Sequence, residues 1–271
     1  MLNKKPMINV VDKVVLISGA ARGIGEVTAK MLAADGAMVM VSDILKTAGQ
    51  QVVSDIIKDG GKACFTELDV TVEADWEAAV AKTIETFGGL DVLVNNAGTL
   101  SFSVCENTDY DFFNRIMAIN CGSAFLGTKH GILAMKPGGS AGNGGSIINL
   151  SSTSGIVGGA NQTAYCASKG AVRMLTKAAA LECASLQYDI RVNGVFPGMA
   201  DTLMPRGAGE SMVEAGVAPN RDVLWSAFLK SQPLGLLQPE DIAGAIYYLA
   251  SDASEMVTGI DFCVDGGFCA M

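Results

Sequence analysis

One histidine serves the whole 271-residue chain, and the seven cysteines include no CxxC pair. A structural zinc centre draws four ligands from such groups, so this inventory predicts no metal site. His130 has no Ser and Asp context that would suggest a hydrolytic triad, and reads as an ordinary helix residue. Basic residues are also scarce. The 19 Lys plus Arg face 28 Asp plus Glu, a formal net charge of −9. A nucleic-acid binder needs a basic face, and an anionic membrane surface repels a chain of this sign. Neither nucleic acid nor membrane is an expected partner. Long hydrophobic runs are missing, since no stretch reaches the ~18 apolar residues of a membrane span. Residues 1–12 carry Lys4 and Lys5 but no apolar core of a secretory signal. An odd, dispersed set of cysteines reads as reduced thiols, so a cytoplasmic location is expected. Charged residues are 17% of the chain, against about 25% in typical domains. That shortage predicts a surface partly covered by another subunit.

Apolar residues are plentiful at 49%, enough to bury a core and exclude disorder. Short β-rich runs alternate with helical spacings from end to end. Strands are expected at 14–18, 38–42, 63–68, 92–94, 146–150, 190–195 and 260–264. Helices are expected at 24–34, 46–58, 74–87, 110–135, 163–185 and 239–250. This rhythm requires crossovers, which predicts an α/β fold: a single doubly wound parallel sheet of about seven strands with helices on both faces. The strands are continuous apolar runs, as in strands buried on both sides. No linker divides the chain, so residues 1–271 read as one dinucleotide-binding and catalytic domain. The Gly-rich stretch 137–145 reads as a surface loop. Residues 199–232 break the rhythm and are expected to form a small helical substrate lobe inserted in that domain, which could close as a lid.

The first strand runs into Ser18-Gly19-Ala20-Ala21-Arg22-Gly23-Ile24-Gly25 and then a helix. Glycines 19, 23 and 25 permit a tight turn, and backbone N–H groups at a helix start can bind a pyrophosphate. The G-x3-G-x-G spacing is weak alone and gains weight from its strand–turn–helix setting. No Lys-Ser/Thr follows, which disfavours a triphosphate-binding loop. Asp43 ends the second strand, eighteen residues after Gly25. A carboxylate there accepts hydrogen bonds from ribose hydroxyls and repels a 2′-phosphate, so NAD is favoured over NADP. Arg22 pulls the other way, since it could hold that phosphate. A turn-forming aspartate is the alternative reading of Asp43.

Tyr165 and Lys169 lie four apart on a predicted helix, hence on one face. A neighbouring ammonium favours the phenolate and is expected to lower a phenol pKa from about 10. Such a phenol suits proton transfer to or from a substrate oxygen. Ser152 stands at the carboxyl end of the fifth strand, where open α/β sheets bind ligands. Its hydroxyl could hold the reacting oxygen, or it could be a turn residue.

With these residues in view, the chain resembles the short-chain dehydrogenase/reductase family from about residue 13 to 268. The resemblance rests on Gly19-x3-Gly23-x-Gly25, Asp69-Val70, Asn95-Asn96-Ala97-Gly98, Asn120, Ser152, Tyr165-x3-Lys169, Pro197-Gly198 with Thr202, and Val264-Asp265-Gly266-Gly267. It implies that Tyr165 is the general acid/base and that Lys169 binds the nicotinamide ribose and lowers the Tyr165 pKa. Ser152 would polarise the substrate oxygen, and Asn120 would anchor a water linking Lys169 to solvent. Cofactor contacts would come from Gly19, Arg22, Gly23, Ile24, Gly25 and Asp43. Asp69 and Val70 would meet the adenine, and Asn96, Ala97 and Gly98 the adenosine side. Pro197, Gly198 and Thr202 would face the nicotinamide. Ser18 replaces the more usual Thr and keeps its hydroxyl. Cys166, beside the Tyr, could be reactive but reads as a small buried residue.

The expected activity is hydride transfer between NAD(H) and a hydrophobic secondary alcohol or ketone, cyclic, aryl or hydroxysteroid-like. The predicted pocket walls are Leu100, Phe102, Ile156, Val157, Leu203, Met204, Met212, Val213 and Trp225. Arg206 and Arg221 could instead face a carboxylate or an acyl carrier. A 3-oxoacyl thioester reductase is the alternative within the same chemistry, with Asp43 against it. A non-catalytic dinucleotide-binding scaffold is the alternative of another class, and the intact Ser152, Tyr165 and Lys169 set speaks against that.

Overall fold

The computed structural model describes residues 8–100, 102–202, 219–220, 222–223, 226 and 230–270. Seven strands form one parallel sheet: β1 (Val14–Ser18), β2 (Met38–Asp43), β3 (Lys62–Glu67), β4 (Val92–Asn95), β5 (Gly145–Leu150), β6 (Ile190–Pro197) and β7 (Asp261–Val264). Their order is β3-β2-β1-β4-β5-β6-β7, and every pairing is parallel. The predicted fold class is therefore the observed one. Among the described residues these helices flank the sheet: α1 (Gly23–Ala34), α2 (Lys46–Lys58), α3 (Glu73–Phe87), α4 (Tyr110–Met117), α5 (Ser123–Met135), α6 (Thr163–Ser185) and α7 (Pro239–Ala250).

Strand alternation sends neighbouring residues to opposite faces, and β1 shows the consequence. Val15 and Ile17 pack with Ala29 and Leu32 of α1, Val52 of α2 and Ile242 of α7 in one core. Leu16, between them, joins Trp76 of α3, Met135 of α5 and Cys183 of α6 in the other. Both cores are dry enough to bury Leu16, Ile17 and Trp76 completely. The Trp76 indole N–H still finds a partner, donating to the Val70 carbonyl at 3.0 Å.

Chain reversal after β3 brings β4 back beside β1, on the side away from β2. That switch opens a crevice at the carboxyl ends of the two strands, where such sheets bind ligands. The segments after every strand from β1 to β6 meet along this edge. Strand β6 runs two residues beyond its predicted end, so Pro197 still pairs with Val264 at the rim.

The predicted single helix over 110–135 is a composite. Helix α4 passes into a π-helical turn, Ala118–Gly122, before α5 begins. Such turns insert a residue into the helical ladder and frequently mark functional sites. Here the turn carries Asn120, 2% exposed. Its side-chain Oδ1 accepts the Thr99 N–H at 2.8 Å, and its Nδ2 donates to the Thr99 carbonyl at 2.9 Å and to the Ser168 hydroxyl at 3.0 Å. Helical periodicity could not reveal this turn, because the bonds that hold it reach across the fold. Most of the predicted 199–232 lobe lies outside the described residues, including Leu203, Met204, Arg206, Met212, Val213, Arg221 and Trp225.

Candidate active site

A cavity of about 670 Å³ runs across the carboxyl edge of the sheet. From the first half of the chain it is lined by Gly19, Arg22, Gly23, Ile24, Asp43, Asp69, Val70, Asn96, Ala97 and Gly98. From the second half it is lined by Ser152, Tyr165, Lys169, Pro197, Gly198 and Thr202. Two expected residues do not line it. Gly25 acts behind the wall: a Cβ there would come within 2.4 Å of the Gly19 carbonyl oxygen and 2.6 Å of the Asn96 amide. Asn120 stands behind Gly98, tied to Thr99 as described.

The glycine turn is built for close approach. Gly19 has φ +65°, and a Cβ on it would meet the Ala97 Cα at 2.8 Å. Both features demand glycine. Ser18 beneath it knits β1 to β4, its hydroxyl accepting the backbone N–H groups of Asn96 (3.1 Å) and Ala97 (3.2 Å). The Asn96 side chain donates back to the carbonyls of Ser18 and Gly19. Helix α1 opens on this turn with no side-chain cap. Its first N–H groups thus face the cavity with the positive end of the helix dipole behind them. That arrangement fits a pyrophosphate.

Asp43 does two things at once. Its Oδ2 accepts the Ala21 N–H at 3.1 Å and its Oδ1 accepts the Leu45 N–H at 2.9 Å, so it braces the turn. It also lines the cavity beside the exposed Arg22. The turn-forming reading of Asp43 is thus realised, and the residue also stands in the cavity wall. Asp69 is comparable, since its Oδ1 accepts from the backbone and hydroxyl of Thr71 while the residue walls the cavity.

Ser152 leaves β5 in extended backbone, and its hydroxyl accepts the Ser154 N–H at 3.1 Å. It is also hydrogen-bonded to the Tyr165 hydroxyl. Lys169 lies one turn along α6 from Tyr165, its Nζ 5.9 Å from the phenol ring centre. The expected lowering of the phenol pKa is not found in this state. Burial pushes the Tyr165 hydroxyl up to about 12, against the pull of the Ser152 hydrogen bond. Burial likewise brings the Lys169 ammonium down to about 8. The reason is geometric: the Lys169 Nζ donates to the Leu150 carbonyl at 2.8 Å rather than to the phenol. In this state, then, Tyr165 is a proton donor at neutral pH.

Several lining residues escaped the sequence reading. Ser154 and Gln162 form a polar pair in the wall, the Ser154 hydroxyl donating to Gln162 Oε1 at 3.1 Å. Gln162 stands three residues before Tyr165, so helical spacing was the available signal. Arg115 and Ile119, near the π-helical turn, also line the cavity, and no local pattern announces them. Of the predicted apolar walls, Leu100 lines the cavity, whereas Phe102, Ile156 and Val157 do not. Val157 instead is 42% exposed, because the 3-10 turn Thr153–Gly155 directs the chain outward. His130 is buried and bonded to Glu73 at 3.2 Å, and is not among the residues that line this cavity.

Comparison with known proteins agrees with this geometry. The family model described as enoyl-(acyl carrier protein) reductase matches residues 19–269. The chain is 39% identical to cyclopentanol dehydrogenase of Comamonas testosteroni over 259 residues, 96% of this chain and 98% of that one. It is 39% identical to trans-4-hydroxycyclohexanecarboxylate dehydrogenase of Sinomonas cyclohexanicum, covering 95% of this chain and 93% of that one. It is 37% identical to 3-beta-hydroxysteroid dehydrogenase of Comamonas testosteroni, covering 96% of each. A solved short-chain type dehydrogenase/reductase from Mycobacterium marinum superimposes with a TM-score of 0.85 at 34% identity, covering 97% of this chain and 98% of that one. The uncapped helix start, the glycine turn and the extent of these matches together make the chain an oxidoreductase that binds a nicotinamide dinucleotide, and a member of the short-chain dehydrogenase/reductase family.

Proposed function

We propose that this protein is an NAD-dependent dehydrogenase of a hydrophobic secondary alcohol, cyclic or hydroxysteroid-like, with Tyr165 as general acid/base. One observation carries the reading: Ser152, Tyr165 and Lys169 line the same cavity as the glycine turn and Asp43. The similar proteins named for cyclic alcohols and a hydroxysteroid support the substrate class.

The bound nicotinamide supplies the hydride acceptor or donor. The chain's own residues move the proton. Ser152 Oγ holds the substrate oxygen beside Tyr165. In alcohol oxidation the Tyr165 oxygen takes the hydroxyl proton, and in ketone reduction it returns one. Lys169 binds the nicotinamide ribose in place of part of its bond to Leu150, and its charge then favours the phenolate. Asn120 anchors the proton route from Lys169 to solvent through the polar cluster it forms with Thr99 and Ser168. At the adenosine end the α1 N-terminus holds the pyrophosphate and Asp43 the ribose hydroxyls. The soluble enzyme is proposed to work as a homodimer or homotetramer in the cytoplasm. Among the described residues no helix is long and apolar enough to cross a membrane.

The sign of the pH dependence follows from the raised phenol. A protonated Tyr165 is ready for reduction, whereas oxidation needs the phenolate. Below the pKa, the phenolate fraction grows about tenfold per pH unit. The kcat/KM for alcohol oxidation should therefore climb from roughly pH 7 toward pH 8, near which the Lys169 ammonium begins to lose its proton, while that for ketone reduction stays level over the same range. Initial-rate profiles in both directions check this. An oxidation rate that falls as pH rises would remove Tyr165 from the role of base.

Cofactor choice tests Asp43. Like charges brought together cost several kcal/mol, so kcat/KM with NAD should exceed that with NADP by roughly 100-fold or more. Asp43→Ser should narrow the ratio. A clear NADP preference would reverse the assignment and revive the 3-oxoacyl thioester reductase, a reading that the exposed Arg22 favours. Rates on acyl thioesters and on cyclic ketones, measured side by side, separate the two readings.

A further inference from the structure

We propose that Cys263, Asp265 and Cys269 form a binding site for a thiophilic divalent cation such as Zn²⁺ or Cd²⁺. This site lies outside the cavity and is independent of the proposed reaction. The two cysteines are six residues apart with a pair of glycines between them, so no short ligand spacing marks them in the sequence. The fold brings them together. Cys263 is on β7, Asp265 begins the turn that leaves it, and Cys269 sits in the 3-10 turn Phe268–Ala270 that folds back. One ligand atom from each lies within 4.8 Å of the other two. This is the span over which a single tetrahedral ion can draw in two sulfurs and an oxygen.

The carboxylate is held in place for the purpose. Asp265 is 9% exposed, its Oδ1 accepts the Gly267 N–H at 3.0 Å, and its Oδ2 accepts the Cys269 N–H at 2.8 Å. Such backbone bonds orient a ligating carboxylate and leave it lone pairs for a metal. The two sulfurs and a carboxylate oxygen thus already lie close enough together to share one ion. On binding, each thiol gives up its proton to solvent and each thiolate takes a coordination position. Cys263 is exposed, so an entry path and a fourth position for water are present. Two sulfurs and one oxygen favour a soft or borderline ion over Mg²⁺ or Ca²⁺. The second cluster of this kind, Glu73, Glu77 and His130, is different: Glu73 is already paired with Lys129 and His130.

Location gives the site a consequence. Val264 accepts the Gly198 N–H at 2.9 Å, and a Cβ on Gly198 would come within 2.9 Å of the Asp265 Cα. A cation here would pin the carboxyl-terminal turn to the sheet directly behind the cavity wall at Pro197 and Gly198.

The test titrates reduced, cofactor-free protein with Cd²⁺ and follows thiolate-to-cadmium charge-transfer absorbance. About one equivalent per chain should give the band, and Zn²⁺ should displace it. Cys263→Ser and Cys269→Ser should each weaken binding by more than the roughly 10- to 100-fold that losing an outer-shell partner costs. Cys105→Ser, an exposed thiol elsewhere, should leave it unchanged. A second measurement needs no variant: Zn²⁺ should protect Cys263 and Cys269 of the wild-type protein from alkylation, read by peptide mass, without protecting Cys105. No band at stoichiometric Cd²⁺, a band that persists in both serine variants, or equal alkylation with and without Zn²⁺ would each overturn the proposal.

Discussion

Tyr165→Phe should lower kcat by about 10²- to 10⁴-fold, the range supplied by a positioned acid or base. The substitution removes one oxygen and keeps the ring, so the packing of α6 against the sheet is preserved. It also frees the Ser152 hydroxyl, which keeps its bond to the Ser154 N–H. Cofactor affinity should therefore change little, as read by nucleotide fluorescence or calorimetry. The pairing of the two results is the informative part. A large loss of turnover with unchanged binding identifies a residue that acts on the reacting atoms. A variant retaining near-normal kcat would end the assignment of Tyr165, and with it the proposed mechanism.

Lys169→Ala should damage both quantities. Lys169 is 5% exposed, and its ammonium satisfies the Leu150 carbonyl. Truncation takes away a charged donor to the ribose, worth about 1.5–3 kcal/mol, or roughly a 10- to 150-fold loss of dinucleotide affinity. Turnover should fall further, because the charge that favours the phenolate goes with it. The pH profile separates the two effects. In this variant the alkaline rise of the oxidation rate should move to higher pH. Lys169→Arg keeps a charge but brings a planar fork that does not reproduce a compact ammonium, so it should restore binding better than turnover. If Lys169→Ala shifted affinity alone and left the profile in place, Lys169 would hold the cofactor without tuning the phenol.

Much of this was legible along the chain. The glycine turn, the strand-end Asp43 and the Tyr165–Lys169 spacing are local patterns, each set by a turn or by one helix face. The alternation of strand and helix made a parallel sheet obligatory, and its carboxyl edge then had to hold the segments carrying Asn96, Ser152 and Pro197. Other features were not legible. The π-helical turn at Asn120 exists because Thr99 and Ser168 bond to it, and both are remote in sequence. The cavity walls at Arg115 and Gln162 are consequences of how α4 and α6 pack, and Ile156 and Val157 are left out of the lining because the 3-10 turn Thr153–Gly155 precedes them. Sequence proximity suggested that Lys169 would acidify its neighbour, whereas the burial shared by both groups pushes the phenol up and turns the ammonium to Leu150.

The amino-acid order by itself determined the layered α/β architecture, the glycine turn and the Tyr165–Lys169 pairing on one helix face, since short-range sterics, hydrophobic period and helical spacing act within a few residues. Only the tertiary structure decided the protonation of Tyr165, the setting of Asn120 and the meeting of Cys263 with Cys269. Those depend on desolvation and on contacts between distant segments, which exist once the register of parallel strands has brought the segments together.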